Sequence, residues 1–140
     1  MVIKKIMVPV DNSVFSMNAV KYSIDFSKQM GSSILLLHCH HKFPSILGEP
    51  YLQDAINKIK DNAESVIALY RELYKIHNVE ISELLLEEPA GHSISEASRI
   101  EKVDLIIMGS KGKSDLEGLI LGSVTHKVLH YAKCPVMVVH

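Results

Sequence analysis

Short apolar runs alternate along the chain with longer stretches of helical period. Lys4 to Val10 forms a strand pattern that stops at Asp11-Asn12-Ser13, a polar cluster able to cap a helix. A helix starts at Asn12 or Ser13. Its apolar positions Phe15, Met17, Ala19, Val20, Ile24 and Phe26 roughly follow a 3.6 period, and Gly31 stands where a left-handed terminator is wanted. Ser33 to Cys39 is a second strand; its centre, Ile34-Leu35-Leu36-Leu37, carries no charge, as in a strand covered on both faces. His41 to Pro50, with two prolines and a glycine, is a loop. From Tyr51 to Ile76 apolar residues such as Ile56, Ile59, Ala63, Ile67, Tyr70 and Tyr74 repeat at helical spacing, with Lys58, Lys60, Asp61, Glu64 and Arg71 on the other side.

A third strand covers Val79 to Leu86 and ends at Glu87-Glu88-Pro89. After it come a helix from about His92 to Lys102, a strand from Val103 to Met108, a stretch from Ser110 to Leu121 and a helix from Gly122 to Ala132. Pro135 to His140 closes the chain as a fifth strand, its proline at the first position, where a missing N–H is tolerated. Strands alternating with helices predict an α/β architecture: a doubly wound, five-stranded parallel sheet with right-handed crossovers and helices on both faces. No repeat, linker or low-complexity segment interrupts it, so one domain is expected over residues 1–140.

Composition narrows the function classes. A hydrophobic share of 47% and a charged share of 22% exclude collagen-like and disordered chains. The formal net charge of −1 provides no global field for DNA, RNA or an anionic membrane, so neither nucleic acid nor membrane is expected as a partner, and any anion site must be local. The apolar runs are far shorter than the ~20 residues of a spanning helix. Lys4 and Lys5 interrupt the first apolar stretch and no A-x-A-like site comes after it, which argues against a secretory signal and for a cytoplasmic location. Cys39 and Cys134 are expected as reduced thiols at opposite edges of the sheet, too far apart for a disulfide.

In open α/β sheets ligands bind beyond the carboxyl ends of the strands, where the strand order reverses. The segment after strand four, Gly109-Ser110-Lys111-Gly112-Lys113-Ser114, is the richest in chemistry there. Its glycines let the backbone approach a ligand and turn amide N–H groups inward, and Lys111 and Lys113 add positive charge. Gly122-Ser123-Val124-Thr125 opens the last helix, whose free N–H groups and positive dipole end suit an anion. Gly112-Lys113-Ser114 is not the end of a P-loop, because the required first glycine would fall on Ile107, inside a strand, and no helix starts directly after Ser114.

The spacing Gly109-x2-Gly112-x9-Gly122-Ser123 resembles the signature of the nucleotide-binding branch of the universal stress protein family. Lys4 to Asp11, Leu36 to Cys39, Val103 to Ser110 and Cys134 to Val139 resemble that family's first, second, fourth and last strands, so the likeness covers essentially the whole chain. One departure is Glu87-Glu88-Pro89, where the family usually has G-x-P. The resemblance implies strand order 3-2-1-4-5, dimerisation through the last strand, and an ATP site. In that site Pro9, Val10 and Asp11 border adenine and ribose and the Cys39 backbone holds the adenine edge. Met108, Gly109 and Gly112, with the Ser110, Lys111, Lys113 and Ser114 positions of the same loop, line ribose and phosphates, while Gly122, Ser123, Val124 and Thr125 bind the phosphate tail. Mg²⁺ is expected on the phosphates and no protein-held metal, since His38-Cys39-His40-His41 lacks a third ligand nearby.

The resemblance implies an ATP-binding, nucleotide-dependent stress-response and signalling module, with a downstream partner that the sequence does not identify. Strand five, Val136-Met137-Val138-Val139, has no charge to discourage pairing, which fits a homodimer joined there. No catalytic base stands near the phosphate loop, so hydrolysis is expected to be slow. The alternative is a nucleotide hydrolase or adenylyl-transferring enzyme on the same fold, although the H-x-G-H of related transferases is missing near the first helix. A flavodoxin-like redox protein is a third class. The His41 to Pro50 loop is either a lid over the crevice or a plain connector.

Overall fold

A computed structural model describes residues 2–140. Strands β1 (Lys5–Pro9), β2 (Ser33–His40), β3 (Ile81–Glu87), β4 (Leu105–Gly109) and β5 (Val136–Val139) form one all-parallel sheet in the order β3-β2-β1-β4-β5. Helices α1 (Val14–Met30), α2 (Tyr51–Ile76), α3 (Ala90–Ile100) and α4 (Ser123–Tyr131) connect them, giving the doubly wound α/β fold that the alternating pattern predicts.

Strand alternation sorts the apolar side chains into two cores. Ile6, Val8, Ile34, Leu36 and Ile107 pack against Val20, Ile24, Ile67, Tyr70 and Tyr74 of α1 and α2. Met7, Leu35, Leu37, Ile106 and Met108 meet Ile94, Ala97 and Val128 of α3 and α4 on the opposite face. Coverage on both sides explains why the central strands read as unbroken apolar runs. Among the described residues, no helix is long and apolar enough to cross a membrane.

Element boundaries are set by local hydrogen bonding. The Ser13 side chain caps α1 by accepting from the Ser16 N–H, and Gly31 ends that helix at φ 69°. β3 starts later than the pattern suggests because the chain leaves α2 through Asn78 at φ 58° and the Val79 N–H still donates to the Tyr74 carbonyl. α3 occupies Ala90–Ile100 rather than His92 to Lys102: Pro89 is its N-cap, and Lys102, at φ 53°, lies beyond its end. β4 starts at Leu105; just before it the Asp104 carboxylate accepts from the Lys4 and Lys5 N–H groups at the start of β1, at 2.9 Å each, and holds the two strand ends together.

The expectation of cysteines at opposite edges needs correction. β2 is an inner strand flanked by β3 and β1, so Cys39 is not at an edge; Cys134 precedes the edge strand β5. Both are free thiols, with β1 and β4 between their strands. The strand order reverses between β1 and β4, which opens a crevice at their carboxyl ends.

Candidate functional site

Asp11, two residues beyond β1, ties the crevice together. Its Oδ1 accepts from the Ser13 N–H and the Ser16 hydroxyl, both at 2.9 Å, and its Oδ2 accepts from the Lys113 N–H at 3.0 Å. The Tyr70 hydroxyl donates to the Asp11 carbonyl at 2.5 Å, so α1, α2 and the loop after β4 all meet at this residue. Burial pushes the Asp11 carboxyl up, but the donors from Ser13, Lys113 and Ser16 together outweigh it and hold the group below its ordinary range. A carboxyl with a depressed folded value stabilises the fold above its unfolded value, near pH 4, and loses that contribution as pH falls through the folded value. Asp11→Asn should therefore lower unfolding free energy by about 2 kcal/mol at neutral pH. In urea titrations the gap between wild type and variant should shrink below pH about 4, and a gap independent of pH would refute the charge-based account.

At the end of β2, His38 is buried and its Nδ1 lies 2.7 Å from the Val10 carbonyl, which can only accept, so Nδ1 carries the hydrogen. Cys39 beside it is half-buried, and burial, aided by the Glu88 charge, pushes its thiol up to about 12. At neutral pH it is a neutral thiol, neither nucleophile nor ready metal ligand.

β4 ends against α1, and this contact dictates Gly109. A Cβ there would lie 2.8 Å from the Phe15 carbonyl carbon and 2.8 Å from the Phe15 Cβ, so the packing of α1 requires glycine. Beyond it the Ser110 N–H donates to the Val139 carbonyl, and the Gly122 N–H returns to the Ser110 carbonyl, each at 2.7 Å, closing the base of the loop. The Thr125 hydroxyl is buried and donates to the Gly109 carbonyl at 2.8 Å, fixing the start of α4 against β4.

These elements enclose a cavity of about 170 Å³. Pro9, Val10 and Asp11 line it from β1 and Cys39 from β2; Met108, Gly109, Lys111, Gly112 and Ser114 line it from β4 and the loop. Ser123, Val124 and Thr125 line it from α4. Three expected residues do not line it. Ser110 is buried, with its hydroxyl 3.0 Å from His140 Nδ1. Lys113 borders an adjoining cleft of about 720 Å³, and Gly122 lies beneath the Asp115 carboxylate.

Sequence reasoning did not single out Ser16, Leu37, His38, Ala90 and Ile94 as cavity residues, nor Asp115 and Glu88. Leu37, Ala90 and Ile94 are indistinguishable from ordinary core by pattern. Glu88, just after β3, lines the cavity because β3 pairs with β2 and the Glu88 N–H donates to the His40 carbonyl at 3.0 Å. Asp115, an acid between the two glycine segments, is the informative one. Its Oδ2 accepts from the Gly112 N–H at 2.6 Å and its Oδ1 from the Ser123 N–H at 3.4 Å.

The cavity is therefore divided in character. Leu37, Ile94, Met108 and Val124 give it an apolar part, and amides of Gly112 and Ser123 at the start of α4 give it donors that already hold one anionic group. A ligand with an apolar body and an anionic end matches both parts.

The sequence profile of the Universal stress protein family matches residues 3–140. A "Universal stress protein in QAH/OAS sulfhydrylase 3'region" of Thermus aquaticus is 32% identical over 136 residues, covering 97% of this chain and 98% of the relative. Universal stress protein MJ0531 of Methanocaldococcus jannaschii is 30% identical over 138 residues, covering 97% and 81%. The solved structure of protein MJ0577, from the same archaeon, superposes with TM-score 0.85 at 28% identity over 99% of this chain and 96% of that one. More distant structures with the same fold, at 17–21% identity and TM-scores of 0.67–0.76, include a universal stress protein in complex with cAMP, an Arabidopsis thaliana member with AMP bound and an Archaeoglobus fulgidus member in complex with dAMP. With its profile matched nearly end to end and its fold shared throughout, the chain belongs to the universal stress protein family.

Proposed function

We propose that the chain is a nucleotide-dependent regulatory module that binds ATP in the crevice between β1 and β4. The observation that carries this reading is the pairing of two amides, Gly112 in the loop after β4 and Ser123 at the start of α4, with the Asp115 carboxylate beside an apolar cavity. Adenine and ribose would lie toward Val10, Asp11 and Cys39, and the phosphates, carrying Mg²⁺, toward Lys111, Gly112 and Ser123. Adenine nucleotides bound by fold relatives support the choice of base. A role inside the cytoplasm, in communication with a downstream signalling partner, is part of the same proposal.

The test is to denature the purified protein, identify any released nucleotide by mass spectrometry, and titrate the stripped protein with ATP and Mg²⁺ by calorimetry. Intact ATP and stoichiometric binding are expected. Recovery of ADP or AMP after loading with ATP would favour a hydrolase, and no binding of any adenine nucleotide would overturn the proposal.

Homodimerisation through β5 belongs to it as well. The two sheet edges differ in charge: β3 carries Glu83 and Glu87, with Arg71 paired to Glu83, whereas Val136, Met137 and Val138 of β5 are half-buried and uncharged. Charged edges resist pairing with another chain and apolar edges invite it. Light scattering at micromolar concentration should give twice the 15.6 kDa of one chain, and a monomeric mass would count against the paired edge.

A further inference from the structure

The Asp115 carboxylate sits where the anionic tail of a ligand would go. Its two oxygens take up the N–H groups of Gly112 and Ser123, the donors that a phosphate would use, and no ion pair involves Asp115 among the described residues. The fit is tight: a Cβ added to Gly122 would come within 2.0 Å of Asp115 Oδ2. At about 170 Å³ the cavity is smaller than the ~300–1,000 Å³ of ordinary small-molecule sites, and the Asp115 side chain forms part of its wall.

The segment that carries this carboxylate is held by few buried side chains. Leu116, Leu119 and Ile120 are 75%, 43% and 85% exposed, so little apolar burial anchors the segment, and Gly118 turns it at φ +85°. Moving Asp115 out would expose the two N–H groups at a small packing cost. A dianionic or longer phosphate tail cannot share the same donors with a carboxylate, because like charges at contact distance repel.

We infer that Asp115 is a built-in occupant of the phosphate seat, which every anionic ligand must displace and which thereby sets how strongly the pocket favours short phosphate tails over long ones. The inference rests on the nucleotide reading of the pocket, but it concerns the amides of Gly112 and Ser123 and can be tested with a phosphate chain alone. Asp115→Asn keeps the shape and removes the charge; Asp115→Ala removes both.

Calorimetric titrations of the protein and both variants with ATP, AMP, adenosine and inorganic tripolyphosphate, with and without Mg²⁺, test it. Both variants should bind ATP and tripolyphosphate at least tenfold more tightly than wild type, with a smaller gain for AMP and none for adenosine. Unchanged ATP affinity, with adenosine binding equal in all three proteins, would overturn the inference. ATP affinity weakened in the variants only when Mg²⁺ is present would also overturn it, by assigning the carboxylate to holding a cation. If no protein binds ATP, the nucleotide reading falls, and tripolyphosphate decides the inference: a gain in both variants upholds it and no gain overturns it.

Discussion

Gly122→Asp is expected to lower ATP affinity at least about a hundredfold while the protein stays folded. Gly122 is the N-cap of α4, with φ −76° and ψ 166°, a backbone that any residue adopts and that aspartate favours as a cap. The new carboxylate would accept from the first N–H groups of α4 and place a fixed negative charge at the proposed phosphate seat. It would expel the Asp115 side chain, whose tip can swing away, and require the Lys111 Cα, 3.0 Å from the new Cβ, to give slightly. Unlike Asp115, a carboxylate on the cap itself cannot leave with the loop. Capping and crowding oppose one another, so unfolding free energy should change by no more than about 1 kcal/mol. Gly122→Ser brings the same Cβ and a capping hydroxyl without charge, and it displaces Asp115 equally, so the difference between the two variants separates electrostatics from sterics. Calorimetry alongside urea unfolding checks both; an unaltered ATP affinity in Gly122→Asp would remove the start of α4 from the site.

The largest stability effect is expected at Gly109. Gly109→Ala should cost about 3 kcal/mol, the upper part of the range for overpacking, because the atoms in its way at 2.8 Å include the Phe15 carbonyl carbon. Backbone in a capped helix yields only if α1 shifts as a body, and α1 also packs on β1 and β5, so relief in one place opens gaps in another. Gly112 provides the contrast. A Cβ there also meets an atom at 2.8 Å, but that atom is Asp11 Oδ2, the tip of a side chain. Gly112→Ala should therefore cost less than Gly109→Ala, about 1–2 kcal/mol, because it disturbs the Asp11 carboxylate's bond to the Lys113 N–H without moving backbone. Urea midpoints for the two variants test the distinction, and equal losses would show that the nature of the obstructing atom does not matter here.

The contrast between the glycines marks how far the sequence could be read. Their spacing pointed to one loop and one helix start, and the structure brings both to the same crevice. The spacing could not show that Gly109 is demanded by the back of α1, or that Ser110 turns toward His140 instead of the cavity. Likewise Thr125, expected on a phosphate, spends its hydroxyl proton on the Gly109 carbonyl. Each of these depends on a partner from a distant part of the chain, and no local pattern records which partner arrives.

The alternation of apolar runs with helical period, the capping cluster at Asp11 to Ser13 and the glycine spacing were sufficient, by themselves, to determine the α/β class and the parallel sheet, because backbone hydrogen bonding and two-sided burial leave few other ways to satisfy such a pattern. The tertiary structure alone decided that Glu88 reaches the cavity, that Ser110 turns away from it, and that Asp115 faces the amides of Gly112 and Ser123. Periodicity is a property of neighbours along the chain, whereas a site is made where the ends of separate strands converge, and the distances there are set by packing across the sheet.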